Sequence, residues 1–153
     1  MSFDVLVWMR RTDGDVAGRF DAFMRSAGAA LTLDSGGADG RSAPWVVCGD
    51  GDPIIEIWIE DFDDEHPLRS SYPEAVWQAR IGQSDSAAQA MLVAAGLAHA
   101  CEGWVCDPQA CHDDPPIKAK LPRPFAAAAD REHSVYDPEF ARAIAGALAA
   151  LGV

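Results

Sequence analysis

Apolar and polar side chains alternate most clearly at residues 54–60, IIEIWIE, with the two-residue period of a β-strand. One row of side chains is apolar and consists of Ile55, Ile57 and Ile59. On the opposite row Trp58 lies between Glu56 and Glu60, and the chain then enters an acidic run that ends at His66. The pattern predicts a strand that buries one face and offers the other as a partly solvated binding surface.

Four further segments are typical of β-strands. They are residues 3–9, 44–49, 75–82 and 103–107. The first is apolar on both faces, which predicts a central strand. Asp-Gly-Asp separates the second from the strand at 53–60, which predicts a β-hairpin. The segment at 75–82 is also compatible with a helix.

Three segments have the apolar spacing of amphipathic helices. Two of them lie at residues 15–27 and 85–100. Their apolar stripes are Val16, Phe20, Phe23, Met24 and Ala27 in the first helix and Ala88, Met91, Leu92 and Ala95 in the second. The third is a C-terminal helix at 137–151, which follows an irregular, proline-rich segment at 113–135.

The order of these elements predicts a single α+β domain that spans residues 1–153. Strand, helix, three strands, helix and strand follow one another, which is close to the order of a split-βαβ, ferredoxin-like fold. We therefore expect one sheet with the helices at 15–27 and 85–100 on the same face, together with an extra strand and the C-terminal helix. The other face of the sheet is expected to be open unless another segment covers it.

The charge of the chain narrows the classes of partner. Twelve Lys and Arg residues against 24 Asp and Glu residues give a net charge of −12. Nucleic acid is not an expected partner, because binding to a phosphate backbone depends on basic side chains. An acidic protein attracts basic protein partners instead. No apolar run approaches the roughly 18 residues of a membrane span, and the first residues lack a signal-peptide pattern, so we expect a cytoplasmic protein without membrane contact.

The sequence contains no phosphate-binding loop before a helix and no G-x-S-x-G or H-E-x-x-H motif, so we expect neither enzyme activity nor a cofactor. The four cysteines are Cys48, Cys101, Cys106 and Cys111, and His112 follows the last of them. Their spacing differs from the close pairs of structural zinc sites, so we expect free thiols and no metal. The alternative is a small enzyme or metal-binding protein that uses the Cys101–His112 segment.

The five tryptophans all fall in predicted strands. Trp8 and Trp58 share their rows with charged residues, which favours a half-exposed face, and tryptophan is enriched at binding hot spots. The alternative is that the C-terminal helix or the proline-rich segment packs across these rings. The candidate partner-binding residues are Glu56, Trp58, Glu60, Asp61, Asp63, Asp64, Glu65 and Trp8.

Two short motifs carry a resemblance to known proteins. The opening MSFDVLVW, followed by an amphipathic helix, and GWVCDPQ at 103–109 resemble a broad set of small bacterial proteins of unassigned activity. Several proteins of this build are similar to immunity proteins of polymorphic toxin systems, which bind and block a cognate toxin. The resemblance implies an inhibitor without catalytic residues, and the acidic charge of the chain is compatible with it.

Our first hypothesis is therefore an immunity-type inhibitor that occludes a basic toxin or enzyme through an acidic, tryptophan-containing surface. The carboxylates would steer and pair with basic residues of the partner, and the exposed aromatic side chains would supply the desolvated contact. Besides the enzyme or metal-binding alternative, a third hypothesis is a homo-oligomer, such as a homodimer, whose open sheet face forms its own interface.

Overall fold

The computed structural model describes residues 5–10, 12, 15–34, 39–82, 87–106 and 135–136. These residues form one sheet of seven strands and two α-helices. The strands are β1 (Val5–Met9), β2 (Leu31–Asp34), β3 (Trp45–Gly49), β4 (Asp52–Asp61), β5 (Trp77–Ile81), β6 (Trp104–Cys106) and β7 (Val135–Tyr136). The helices are α1 (Val16–Ser26) and α2 (Ala87–Ala100). The predicted α+β class is confirmed.

The strands follow one another across the sheet in the order β2-β3-β4-β5-β1-β6-β7, and every neighbouring pair is antiparallel. The predicted hairpin is confirmed, because β3 and β4 pair directly through a turn at Asp50 and Gly51. Both turn residues have positive φ, 53° and 83°, as a two-residue hairpin turn with the twist of the sheet requires. The segment at 75–82 is a strand, since β5 pairs with β1 and β4.

The strand order is not ferredoxin-like. The β3–β4 hairpin and β5 separate β1 from β2, the two strands that α1 connects. Two strands that the sequence patterns do not predict contribute to this difference. The strand β2 has only four residues, with Leu31 and Leu33 buried between exposed Thr32 and Asp34, and β7 lies at the end of the segment predicted as irregular.

Both helices lie on the same face of the sheet, as predicted. The rows Val5, Val7, Met9 of β1 and Ile55, Ile57, Ile59 of β4 belong to one core together with buried residues of α1 and α2. The helices also pack closely against each other, because a Cβ atom at Gly96 of α2 would lie 2.5 Å from Cε of Met24 and 3.0 Å from the ring of Phe20 in α1. Gly96 therefore sets the distance between the two helices.

The second helix differs from its prediction in one respect. A single apolar stripe was expected, but all residues from Ala90 to Ala98 other than Gly96 have side chains that are at most 1% exposed. The helix carries no Asp, Glu, Lys or Arg. A helix that is apolar on all sides belongs in the interior. No helix in the described ranges is both long and apolar enough to cross a bilayer.

The other face of the sheet is covered in front of β1 and β6 by residues 62–75, which we call the cover segment. Its side chains form a second core with Trp8 and Cys106, and the buried members from the segment are Phe62, Tyr72 and Ala75. The sequence had suggested the proline-rich segment or the C-terminal helix for this role. The predicted C-terminal helix at 137–151 lies outside the described residues, as does all of 113–135 except Val135.

The C-terminus of α2 is closed by two backbone hydrogen bonds of the Schellman type. The N–H of Gly103 donates to the carbonyl of Ala98 at 2.8 Å, and the N–H of Glu102 donates to that of His99 at 3.4 Å. Glu102 takes the left-handed position with φ 53°, where glycine is the usual residue. The motif therefore places a strained side chain at the residue before its glycine.

Replacing this residue by glycine is expected to stabilise the fold. The left-handed backbone costs a residue with a Cβ about 1–2 kcal/mol, and part of that gain is lost to the greater freedom of glycine in the unfolded chain. We expect Glu102→Gly to raise the free energy of unfolding by roughly 0.5–1 kcal/mol in urea titrations. Glu102→Ala is the control, because it removes the same charge without relieving the backbone. An equal gain in both variants would contradict the backbone explanation.

Candidate functional site

An exposed aromatic side chain marks the part of the sheet that the cover segment leaves open. Trp58 on β4 is 42% exposed, and among the described residues only Val76 is another large apolar side chain with comparable exposure. Glu56 and Glu60 flank it on the same row of the strand and are exposed as well. On the neighbouring strand β5, Arg80 lies opposite Trp58, and Gln78 lies opposite Glu60. We call these five residues the Trp58 patch.

Hydrogen bonds fix the polar groups of the Trp58 patch. The indole Nε1–H of Trp58 points to Oε2 of Glu56 at 3.4 Å. Oε1 of Glu60 accepts a hydrogen bond of 2.6 Å from Nε2 of Gln78 and lies 3.5 Å from Nη2 of Arg80. The two carboxylates therefore differ, since Glu60 is held by groups of β5 whereas Glu56 contacts the edge of the exposed ring.

Trp8 supports the patch from inside the protein. Its indole Nε1–H donates to Oε1 of Gln78 at 3.1 Å, and the amide nitrogen of Gln78 donates in turn to Glu60. Because the indole can only donate, this contact also fixes which end of the Gln78 amide faces Glu60. Trp8 itself is 0% exposed. The prediction that its ring lies on a half-exposed face is therefore wrong, whereas its assignment as a partner-binding residue stays a prediction.

The cover segment explains the burial of Trp8. Three of its rings meet the indole at steep angles, with centroid distances of 5.0 Å to Phe62, 5.2 Å to His66 and 5.1 Å to Tyr72. Edge-to-face contacts of this kind are favourable beyond the area that they bury. The acidic run thus leads into a segment that returns across the sheet.

The remaining predicted carboxylates do not form one surface with Trp58. Asp61 belongs to the opposite row of β4 and forms an ion pair with Arg41, whose guanidinium carbon lies 4.3 Å from the ring centroid of Trp77. Asp64 is 3.7 Å from Arg69. Oδ1 of Asp63 accepts the backbone N–H of Glu65 at 2.9 Å, and Glu65 is exposed. Of the six carboxylates, only Glu56 and Glu60 share the row of Trp58.

The turn at residues 39–42 positions Arg41. Oδ1 of Asp39 accepts the backbone N–H groups of Ser42 and Arg41, both at 2.8 Å, and these contacts hold the pKa of Asp39 below its usual value. The carbonyl of Gly40 accepts the N–H of Ile59 at 2.8 Å, which attaches the turn to β4. Arg41 is thereby presented to Asp61 on a supported loop.

A depression of about 390 Å³ lies beside Glu56. It is lined by Val46, Pro53, Ile54, Ile55, Glu56 and Gly82. A shift of register between β3 and β4 at Val47 and Cys48 places one extra residue on β4 at this point. Glu56 is the charged residue among otherwise apolar lining residues, a combination that suits a long side chain with an apolar stem and a cationic end.

The four cysteines and His112 are the candidate thiols and metal ligands of the sequence. Cys48 is half-buried, Cys101 and Cys106 are buried, and no disulfide joins these three described cysteines. Cys111 and His112 lie outside the described residues. Within the described ranges, no group of three or more His, Cys, Asp or Glu side chains is placed to hold a metal ion.

The sequence patterns missed two members of the patch, Gln78 and Arg80. Both alternate with buried Ala79 and Ile81, so the row could have been recognised as outward-facing once 77–81 was taken as a strand. Their pairing with β4, however, follows from the sheet order, which the patterns did not predict.

Chemically, the patch combines an exposed indole with oriented carboxylates and an arginine on a rigid sheet. Tryptophan and arginine are residue types that are enriched among the side chains that contribute most of the binding energy in protein interfaces. The open surface around Trp58 therefore has the composition of a recognition site. The chain matches no protein-family model, no curated protein and no solved structure.

Proposed function

We propose that this chain is a non-enzymatic, cytoplasmic protein-binding module of the immunity type, which inhibits a basic toxin or enzyme by occluding it with the Trp58 patch. The observation that carries the proposal is Trp58, 42% exposed between two carboxylates on a strand whose other face is core. Contact of so large an apolar ring with water is unfavourable, and a partner that buries the ring would remove that cost.

The charge distribution supports a basic partner. The net charge of −12 gives long-range attraction for a positively charged protein and speeds its encounter. Asp61 and Asp64 have arginine partners within the chain, and Glu60 is held by Gln78 and lies 3.5 Å from Arg80. Glu56 is therefore the predicted carboxylate best placed to contribute beside the ring. Self-association through this patch is disfavoured, because it would bring the carboxylates of two acidic copies together.

Growth of a bacterial host tests the proposed function directly. Each reading frame that flanks this gene is expressed under an inducible promoter, with and without this protein. We expect one product to arrest growth and this protein to restore it, and we expect the two purified proteins to form a stable complex. If no flanking product is toxic, or if a toxic product is not neutralised, the immunity proposal is wrong.

Trp58→Ala is expected to separate binding from folding. Truncation removes desolvated contact area, so the affinity for the toxin identified by the growth assay should fall by about 2 kcal/mol or more, chiefly through faster dissociation. The melting temperature should change little, because the ring is exposed. Surface plasmon resonance and a thermal melt measure the two effects. Val76→Ala is the matched control, since Val76 is also exposed, at 47%, but lies outside the patch.

A collapse of the melting temperature of Trp58→Ala would contradict a surface role for the ring. An equal loss of affinity in Val76→Ala and Trp58→Ala would show that the binding surface is not centred on the patch.

A further inference from the structure

Three arginines among the described residues are held in the same way, with the guanidinium near an aromatic ring and paired with a carboxylate. The three sets are Arg10 with Trp104 and Glu74, Arg41 with Trp77 and Asp61, and Arg69 with Phe62 and Asp64. The guanidinium carbons lie 4.8, 4.3 and 5.1 Å from the respective ring centroids. Stacking on the ring and pairing with the carboxylate use the flat guanidinium in two ways at once.

Trp58 and Glu56 form a fourth set of ring and carboxylate. The indole N–H lies 3.4 Å from Oε2 of Glu56, so the carboxylate is next to the edge of the ring. In the part of the chain that the structure describes, the cations placed over aromatic rings occupy Trp104, Trp77 and Phe62 and not Trp58. Arg80, which faces Trp58 across the strand pair, contacts Glu60.

We propose that Trp58 and Glu56 receive an arginine side chain of the partner, with its guanidinium stacked on the indole and hydrogen-bonded to the Glu56 carboxylate. This inference rests on the proposed function and specifies what the basic partner presents. Arginine fits better than lysine, because a planar guanidinium stacks on the ring while it donates to a carboxylate, whereas an ammonium is a strongly hydrated point charge.

The depression beside Glu56 offers an apolar lining that the stem of such a side chain can contact. Val46, Pro53 and Ile54 offer apolar contact for the three methylene groups of an arginine stem, and Glu56 closes the lining with a negative charge. The net charge of −12 complements a cationic ligand at longer range. The indole ring of Trp58 and the apolar lining of the depression therefore both adjoin Glu56.

The test uses three capped tripeptides, Gly-Arg-Gly, Gly-Lys-Gly and Gly-citrulline-Gly, added to the full chain labelled with ¹⁵N. The indole N–H signal of Trp58 is assigned with Trp58→Phe and followed by NMR. We expect a saturable shift with the arginine peptide and a dissociation constant on the order of 10–100 mM, because one exposed stacking and ion-pair contact is weak. The lysine and citrulline peptides should bind at least about fivefold more weakly.

Internal controls are available in the same spectra. The indole signals of Trp77 and Trp104 should stay in place, because arginines of the chain itself already lie over those rings. Glu56→Gln should weaken binding of the arginine peptide about fivefold or more, since it removes the charge from the hydrogen bond. Glu102→Gln is the matched control for general charge effects and should leave the binding unchanged, because Glu102 precedes β6, which β1 separates from the patch on β4 and β5.

The proposal is overturned if Trp58 shows no saturable shift, if lysine or citrulline matches arginine, or if Glu56→Gln binds as the parent does. These results are separable from the growth assay. The protein could neutralise a toxin in a way that depends on Trp58 and still show no preference for the arginine peptide. That result would remove this inference and leave the proposed function standing. Failure of every flanking product in the growth assay would remove the proposed function by itself.

Discussion

Trp8→Ala is expected to lower the free energy of unfolding by about 3–5 kcal/mol, the range for removing a buried tryptophan from a core. The ring is 0% exposed and is enclosed by Phe62, His66 and Tyr72 of the cover segment. Truncation leaves a cavity that rigid neighbours can fill only in part. It also removes the indole N–H that donates to Oε1 of Gln78 at 3.1 Å, so this amide oxygen would lose its hydrogen-bond donor.

Urea unfolding measures this loss, and Trp58→Ala is the matched control, since it truncates the same residue type on an exposed row. We expect the control to change the free energy of unfolding by less than about 1 kcal/mol. Limited proteolysis adds a local readout, because a cover segment that has lost its central ring should be cleaved faster between residues 62 and 75. Similar stabilities for the two variants would show that the cover segment does not depend on Trp8.

The contrast between Trp8 and Trp58 shows what the alternation of apolar and polar residues can and cannot predict. Alternation correctly placed both rings on the face away from the helices, and it correctly separated Ile55, Ile57 and Ile59 from the row of Trp58. It could not distinguish a buried ring from an exposed one on that face. The difference depends on residues 62–75 docking over β1, which is a tertiary contact between segments far apart in sequence.

The acidic run illustrates a second limit. Counting charges suggested one continuous solvated surface, but Asp61 and Asp64 pair with arginines of the same chain. Arg69 follows Asp64 closely in sequence, so a contact between these two residues could be considered from the sequence alone. Arg41 is distant from Asp61 in sequence. Only the turn at 39–42, which is attached to β4 by the hydrogen bond between Gly40 and Ile59, brings Arg41 to Asp61.

The sheet order could not be predicted for a related reason. The local patterns gave the hairpin of β3 and β4, both helices and the strand character of 77–81. They missed β2, because two buried leucines in four residues are a weak signal beside a Gly- and Ser-rich loop. Without β2, the strand that follows α1 is the one at 44–49, and the resulting order of strand, helix, three strands, helix and strand is the order for which a ferredoxin-like sheet is expected.

Gly103 is the position where a single methyl group is expected to have a large effect. A Cβ atom there would lie 2.0 Å from the carbonyl oxygen of Trp8 and 3.2 Å from Cα of Met9. Both are backbone atoms of β1, an inner strand that pairs with β5 and β6. A backbone atom cannot rotate away as a side chain can, so Gly103→Ala must displace the strand or the end of α2.

We expect Gly103→Ala to lower the free energy of unfolding by about 3 kcal/mol, the upper part of the range for added atoms in a packed interior. The control is Gly51→Ala, since Gly51 has φ 83° but nothing within 4 Å of its Cβ position, so only the backbone cost of roughly 1–2 kcal/mol applies. Comparison of the two variants distinguishes two reasons for a glycine, which are a positive φ and a lack of space for a Cβ atom. The φ of Gly103 is not positive, unlike that of Glu102 before it, so its requirement is space. Urea unfolding that gives Gly103→Ala the smaller loss would contradict the close contact with β1. A larger loss for Gly103→Ala than for Gly51→Ala would support the close contact between the junction of α2 and β6 and the backbone of β1.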